Sequence, residues 1–293
     1  MKDKKIIITG GAGFIGRKLV DRLRLAGAQV VVLDLVNGVD VTDWNGLNSA
    51  CPEGADTLYH LAGKTYIPEA WENPREFFNV NVQGTLNALE LCRTRKIGRF
   101  IFMSSYVYGR PQYIPTDEVH PLQPNNPYAY SKIIGEELCR AYHDNFGLQC
   151  VVCRPFNIFG EGQSGNFLVP KIVVQAFRNE LITLNDSKPK RDMLYIDDLL
   201  EALLKAGSFS AKTFEVFNIG SGRSYHIAEI VGAVASVLGR KIKVSYLNRA
   251  RKDEIPETLA DISKASHLLQ WAPKIGLNEG IAKMIAAIKK NGK

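Results

Sequence analysis

No apolar run in this 293-residue chain approaches the roughly 20 residues a helix needs to cross a membrane. The first candidate, Ile6-Ile7-Ile8, stops after three residues at Thr9-Gly10-Gly11, which is also too short for the core of a secretory signal. Cysteine is sparse, odd in number and scattered (Cys51, Cys92, Cys139, Cys150, Cys153). That argues against a disulfide framework and predicts reduced thiols in a cytoplasmic protein with no membrane partner. Cys150-Val-Val-Cys153 has the spacing of a metal or redox pair, but it lies inside an apolar run and no second Cys/His pair follows at zinc-site spacing. A buried strand and no metal are expected there. Internal repeats and Gly/Ser-rich linkers are absent. The basic residues form no stripe interleaved with aromatics, so nucleic acid is not an expected partner.

What remains is an ordinary globular composition, 45% hydrophobic and 23% charged, which excludes global disorder. Thirty-seven Lys and Arg against 30 Asp and Glu give a net charge of +7, compatible with an anionic ligand. At roughly 150 residues per domain, the length predicts two domains, or one with an appended lobe. Apolar runs at residues 5–9, 29–34, 57–62, 99–104 and 148–154 alternate with helical patterns at 14–26, 79–94 and 127–146. Continuous apolar strands between helices predict an α/β fold, a doubly wound parallel sheet of the Rossmann type. Beyond Arg154 the rhythm changes. Loop-rich segments at 157–167, 185–193 and 248–256 separate shorter elements at 214–219, 227–238, 241–246 and 277–290. Residues 1–155 are therefore expected to form a dinucleotide-binding domain. Residues 156–293 are expected to form a smaller C-terminal substrate-binding lobe that returns elements to the first.

The string Thr9-Gly10-Gly11-Ala12-Gly13-Phe14-Ile15-Gly16 joins the first strand to the first helix. Glycines there permit a tight turn, let backbone approach a pyrophosphate and pack helix against strand, while the helix N-terminus offers unpaired N–H groups. Asp34 ends the second strand about 20 residues on, where a carboxylate accepts hydrogen bonds from an adenosine ribose and repels a 2′-phosphate. NAD is thus favoured over NADP. At a later strand end stands Ser104-Ser105-Tyr106-Val107-Tyr108-Gly109, and a helix opens with Tyr128-Ala129-Tyr130-Ser131-Lys132. Tyr128 and Lys132 share a helix face. An ammonium lowers the pKa of a nearby phenol and makes it a usable acid/base near neutral pH.

Together these segments resemble the extended short-chain dehydrogenase/reductase family, in its nucleotide-sugar epimerase, dehydratase and reductase branch. Further matches are Asp40-Val41, His60-Leu61-Ala62-Gly63, Asn81-Val82-Gln83-Gly84-Thr85, Arg154-Pro155-Phe156-Asn157, Arg191-Asp192, Phe217-Asn218-Ile219-Gly220 and Arg251-Lys252-Asp253-Glu254. The resemblance implies Tyr128 as acid/base, Lys132 as its partner and ribose ligand, and Ser104 as the catalytic hydroxyl. It implies cofactor contacts from Gly10, Gly13, Phe14, Ile15, Gly16, Asp34, Asp40, Val41, Leu61, Ala62, Gly63 and Asn81, besides Tyr128 and Lys132. Ser105, Asn157, Arg191 and Arg251 would bind a nucleotide-diphosphate sugar, the two arginines through forked hydrogen bonds to phosphate. A homodimer formed through the helices at 79–94 and 127–146 is implied by the same analogy.

The implied reaction starts with hydride transfer at the sugar's carbon 4. Where the 4,6-dehydratases carry an Asp-Glu pair, this chain has Ser105 and Tyr106, which disfavours dehydration. A UDP-hexose 4-epimerase with retained NAD is expected first, and an NDP-4-keto-6-deoxysugar reductase second. The loop between Asp34 and Asp40 is short, and Gly63 replaces the family's second alanine; both favour the reductase. A non-catalytic dinucleotide sensor is disfavoured by the intact Ser, Tyr and Lys.

Overall fold

Side chains rich in Ile, Val and Phe, covered on both faces, make the early apolar runs parallel strands. These are β1 (Lys5–Thr9), β2 (Gln29–Leu33), β3 (Thr57–His60), β4 (Arg99–Met103) and β5 (Gln149–Pro155). A computed structural model describes residues 2–210, 213–249 and 254–291. The strands align in the order β2-β1-β3-β4-β5, and β9 (Glu215–Ile219) lies beyond β5. Ile7 pairs with Val31 on one side and Leu58 on the other. Ile101 pairs likewise with Tyr59 and Val151. The chain runs outward from β1 to β2 and then crosses back to β3, so the strand order reverses between β1 and β3. In an open parallel sheet, ligands bind beyond the carboxyl ends of the strands at that reversal.

Three strands end one or two residues earlier than their apolar runs predict. Asp34, the triplet Leu61-Ala62-Gly63 and Ser104 therefore stand just past β2, β3 and β4, at the ligand-binding edge. The pattern at 79–94 also divides. Asn79–Gln83 is a π-helical turn and Gly84–Thr94 an α-helix. The Thr85 hydroxyl donates to the Asn81 carbonyl at 2.5 Å, which competes with the regular helical ladder. The pattern at 127–146 is the helix Pro127–Phe146, capped by the Asn126 side chain at one end and left-handed Gly147 at the other. Cys150 and Cys153 are buried within β5, and all five cysteines are free.

The chain divides into two compact units. One comprises Met1–Gly109, Pro121–Pro155 and Leu200–Phe217; the other comprises Arg110–His120, Phe156–Leu199 and Asn218–Lys293. In the second unit β6 (Asn157–Phe159), β8 (Lys190–Tyr195) and β10 (Ser224–His226) form a sheet in the order β10-β8-β6. The strands β7 (Ile182–Leu184) and β11 (Val244–Tyr246) pair in parallel. The loop expected at 185–193 is therefore corrected, since β8 starts at Lys190. Its polar residue Asp192 is fully buried and accepts hydrogen bonds from the backbone N–H groups of Ser221, Gly222 and Ala260 and from the Ser221 hydroxyl. A polar residue can occupy a strand interior once its partners are supplied. Among the described residues no helix is long and apolar enough to cross a membrane.

Candidate active site

After β1 the backbone turns at Gly10 with φ of +71°, and a Cβ there would lie 2.5 Å from the Ala62 nitrogen. Only glycine fits between these two strand ends. At Gly16 a Cβ would collide with the Gly10 carbonyl oxygen, so helix and turn pack backbone to backbone. Gly13 differs, because its added Cβ would meet one atom, the Gly10 oxygen at 3.3 Å. Its missing side chain leaves room rather than permitting internal contact. The helix Phe14–Leu25 has no side-chain cap and no acid in its first turn, so its leading N–H groups remain available to an anion. Asp34 accepts from the Ala12 N–H at 2.9 Å and the Val36 N–H at 3.1 Å, which ties the carboxylate to the glycine turn. Asp40 accepts from the backbone and hydroxyl of Thr42 through one oxygen. Val41 is buried, and its carbonyl accepts from Asn87. The cleared turn, the uncapped helix and the carboxylate on the second strand fit a dinucleotide.

Past β3, Asn81 fastens the next segment. Its Oδ1 accepts from the Lys64 N–H at 2.8 Å, and its Nδ2 donates to the Lys64 carbonyl and the Ser131 hydroxyl. Behind it lies a buried chain whose proton positions follow from its end groups. Thr85 spends its hydroxyl proton on the Asn81 carbonyl, so His60 Nε2 donates to Thr85 at 3.1 Å. Nδ1 then accepts from Thr9 at 2.7 Å. Burial and the Lys132 charge push the His60 pKa down to about 3, in keeping with this neutral tautomer.

Tyr128 is packed with Ala70 and Phe77. Burial raises its phenol pKa, and a hydrogen bond with Ser105 partly opposes the rise, so the free chain holds this proton at neutral pH. Lys132 is 4% exposed; its ammonium donates to the Met103 carbonyl at 2.9 Å and lies 5.1 Å from the Phe102 ring centre. Burial pushes its pKa down to about 8 against the opposing charge of Glu136 and a smaller contribution from Cys139. A hydroxyl beside Tyr128 is thus that of Ser105. Ser104 is buried and donates to Glu136 at 2.5 Å. Tyr106 donates to the Gly109 carbonyl, so no acid/base pair stands at these positions.

The sequence reading gave neither Glu136 nor Arg154 a role, and it did not pair them. The pair is bidentate and buried, with Arg154 Nη2 2.6 Å from Glu136 Oε2 and Nε 3.0 Å from Oε1. Burial works against the Arg154 charge, but the hydrogen bonds and charge of Glu136 outweigh it and raise the guanidinium pKa. The available signal was an arginine ending an apolar strand and a glutamate one helical turn beyond Lys132.

In the second unit, Asn157 donates both amide hydrogens, to the Asp192 carbonyl and the Thr258 hydroxyl, each at 3.1 Å. A carbonyl accepts only, which fixes the amide orientation and leaves Asn157 an acceptor for any ligand. Its oxygen would therefore meet a hydroxyl or N–H of the ligand. Arg191 forms an ion pair with Glu254 and donates to the Ile255 carbonyl at 2.8 Å. Arg251 lies outside the described residues.

A parallel sheet with a glycine-cleared turn and a Tyr/Lys pair at its carboxyl edge defines a dinucleotide-dependent enzyme of the short-chain dehydrogenase/reductase type. Residues 6–220 match the NAD dependent epimerase/dehydratase family, and the chain belongs to that family. It is 31% identical to UDP-glucuronic acid decarboxylase 1 of Xenopus tropicalis, over 98% of this chain and 72% of that protein. Identity to the GDP-6-deoxy-D-mannose reductase of Pseudomonas aeruginosa is 29%, over 97% and 96%. The UDP-glucose 4-epimerase of Thermotoga maritima, solved with UDP-glucose, has a TM-score of 0.91 at 25% identity, covering 99% of this chain and 100% of that one. Family membership makes NAD the cofactor and places the protein among the nucleotide-sugar epimerases, dehydratases and reductases.

Proposed function

We propose that this protein is an NAD-dependent nucleotide-sugar 4-epimerase acting on a UDP-hexose. The observation that carries the reading is the Tyr128, Ser105 and Lys132 set at the same sheet edge as a glycine turn tied to Asp34. When bound, NAD supplies the hydride acceptor and donor for carbon 4 of the sugar, by way of a 4-keto sugar. Gly10, Gly13, Phe14, Ile15 and Gly16 would hold its pyrophosphate, and Asp34 its adenosine ribose. Asp40 and Val41 would frame the adenine. Leu61, Ala62, Gly63, Asn81 and Lys132 would line the rest of the dinucleotide. Tyr128 passes the proton of the sugar hydroxyl through its Oη, Ser105 orients that hydroxyl, and the Lys132 ammonium favours the phenolate. Asn157 and Arg191 would hold the nucleotide sugar, Asn157 by accepting from a hydroxyl or N–H.

The test uses purified protein and a UDP-hexose with no added cofactor. Interconversion of the two 4-epimers, with NAD released on denaturation, is expected. NADH consumption on an NDP-4-keto-6-deoxysugar, without interconversion, overturns the reading in favour of the reductase. That second reading is supported by Gly63, where a Cβ would lie 3.0 Å from Asn81 Oδ1 and 3.4 Å from Lys132 Nζ. The missing methyl leaves space beside the ammonium, which suits a cofactor that exchanges. Cofactor preference is tested separately by Asp34→Asn. A hydrogen bond to a charged group is worth about 1.5–3 kcal/mol, so titration should show NAD affinity falling by roughly 10- to 100-fold. NADP affinity should fall much less, because the repelling charge is gone.

A further inference from the structure

Glu136, Arg154, Tyr108 and Ser104 form a buried polar cluster that the proposed reaction does not use. Glu136 accepts from Ser104 Oγ at 2.5 Å and from Arg154 Nε and Nη2; Arg154 Nη1 donates to Tyr108 Oη at 2.9 Å. The guanidinium carbon lies 5.0 Å from the centre of the Tyr108 ring. Three elements meet there: the end of β4 through Ser104, β5 through Arg154 and the helix Pro127–Phe146 through Glu136. Lys132 stands one turn before Glu136 on that helix, so the two share a face. Its ammonium is bonded to the carbonyl of Met103, the residue preceding Ser104. Lysine and glutamate of one helix thus grip consecutive residues of one strand end.

We propose that Glu136 and Arg154 are positioning residues that set the charge state of Lys132. Glu136 supplies the counter-charge that keeps the buried ammonium protonated, and Arg154 holds that carboxylate in place and limits how strongly it acts. The inference rests on reading Lys132 as the cation of the reacting site. Other groups near Lys132 can be named. From β3 comes His60, neutral and fixed as its Nε2–H tautomer. From its own helix come Tyr128 and Cys139, the latter a buried thiol whose pKa burial raises. Arg154 on β5 reaches this set through its hydrogen bonds to Glu136, and Tyr108 through its bond to Arg154. Among the described residues, then, the negative group acting on Lys132 is Glu136, and the positive group bonded to it is Arg154. Removing either leaves the lysine facing an uncompensated neighbour of known sign.

The opposite signs give the test. Lysine carrying ¹³C at Cε, incorporated into the full-length ligand-free protein, reports the titration midpoint of Lys132 by NMR, with the resonance assigned by its loss in Lys132→Arg. Glu136→Gln is expected to lower the midpoint by roughly one pH unit or more, and Arg154→Met to raise it by a similar amount. The double variant, neutral at both positions, is expected to return it close to the wild-type value. Equal midpoints in all four proteins, or shifts of the same sign in both single variants, overturn the proposal, because a purely structural pair has no reason to move them oppositely. Where a single variant does not fold, Arg154→Lys decides. It keeps the charge and loses the fork, so the midpoint should stay at its wild-type value, and a shift of a full unit overturns the proposal. Failure of the underlying reading shows elsewhere, as NADH binding and turnover unaffected by Lys132→Met.

Discussion

Tyr128→Phe is expected to lower kcat by about 10²- to 10⁴-fold, the usual contribution of a positioned acid/base. NAD affinity, measured by calorimetric titration of the same protein, should change little. The reason lies in how Tyr128 is held. Its ring packs with Ala70 and Phe77, and phenylalanine retains that packing while losing the oxygen shared with Ser105. An unchanged rate would show that the proton travels by another group. The pH profile checks the same site from the lysine side. The ammonium supports the phenolate only while protonated, and its pKa lies at about 8. Because kcat/KM reports the free enzyme, it should fall as pH rises through that value.

Arg154→Met should cost about 3–5 kcal/mol of folding stability, since it strands the Glu136 carboxylate in a site almost closed to water. Glu136 is 4% exposed, and in the variant it retains the hydrogen bond from the Ser104 hydroxyl. Combining Arg154→Met with Glu136→Gln should recover most of the loss, because a neutral pair of similar volume carries no buried charge. Urea denaturation of the wild type, both single variants and the double variant measures this directly. Additive losses in the double variant would mean that the ion pair is not the unit that matters.

The net charge of +7 takes on a more specific meaning in the folded chain. Of the basic residues near the second unit's candidate site, Arg191 is paired with Glu254, and Lys190 lies 3.4 Å from Glu257. Part of the apparent anion-binding charge is therefore already matched.

Sequence alone determined what depends on neighbours along the chain. Strand, glycine turn and helix at residues 5–25 follow from local steric and hydrogen-bonding rules, as does the shared face of Tyr128 and Lys132. Asp34 was legible because its distance from the turn is set by one crossover. Tertiary structure decided what depends on where distant segments meet. It brought Ser105 to Tyr128 and Ser104 to Glu136, contacts between segments more than 20 residues apart. It joined Glu136 to Arg154 and Arg191 to Glu254, pairs 18 and 63 residues apart, whose charges announce no partner in a linear reading. It also turned Asn157 into an acceptor, by spending both its hydrogens on groups 35 and 101 residues away. Local geometry wrote the cofactor turn into the sequence. The charge and polarity of the reacting groups come from contacts that exist only once the chain has folded.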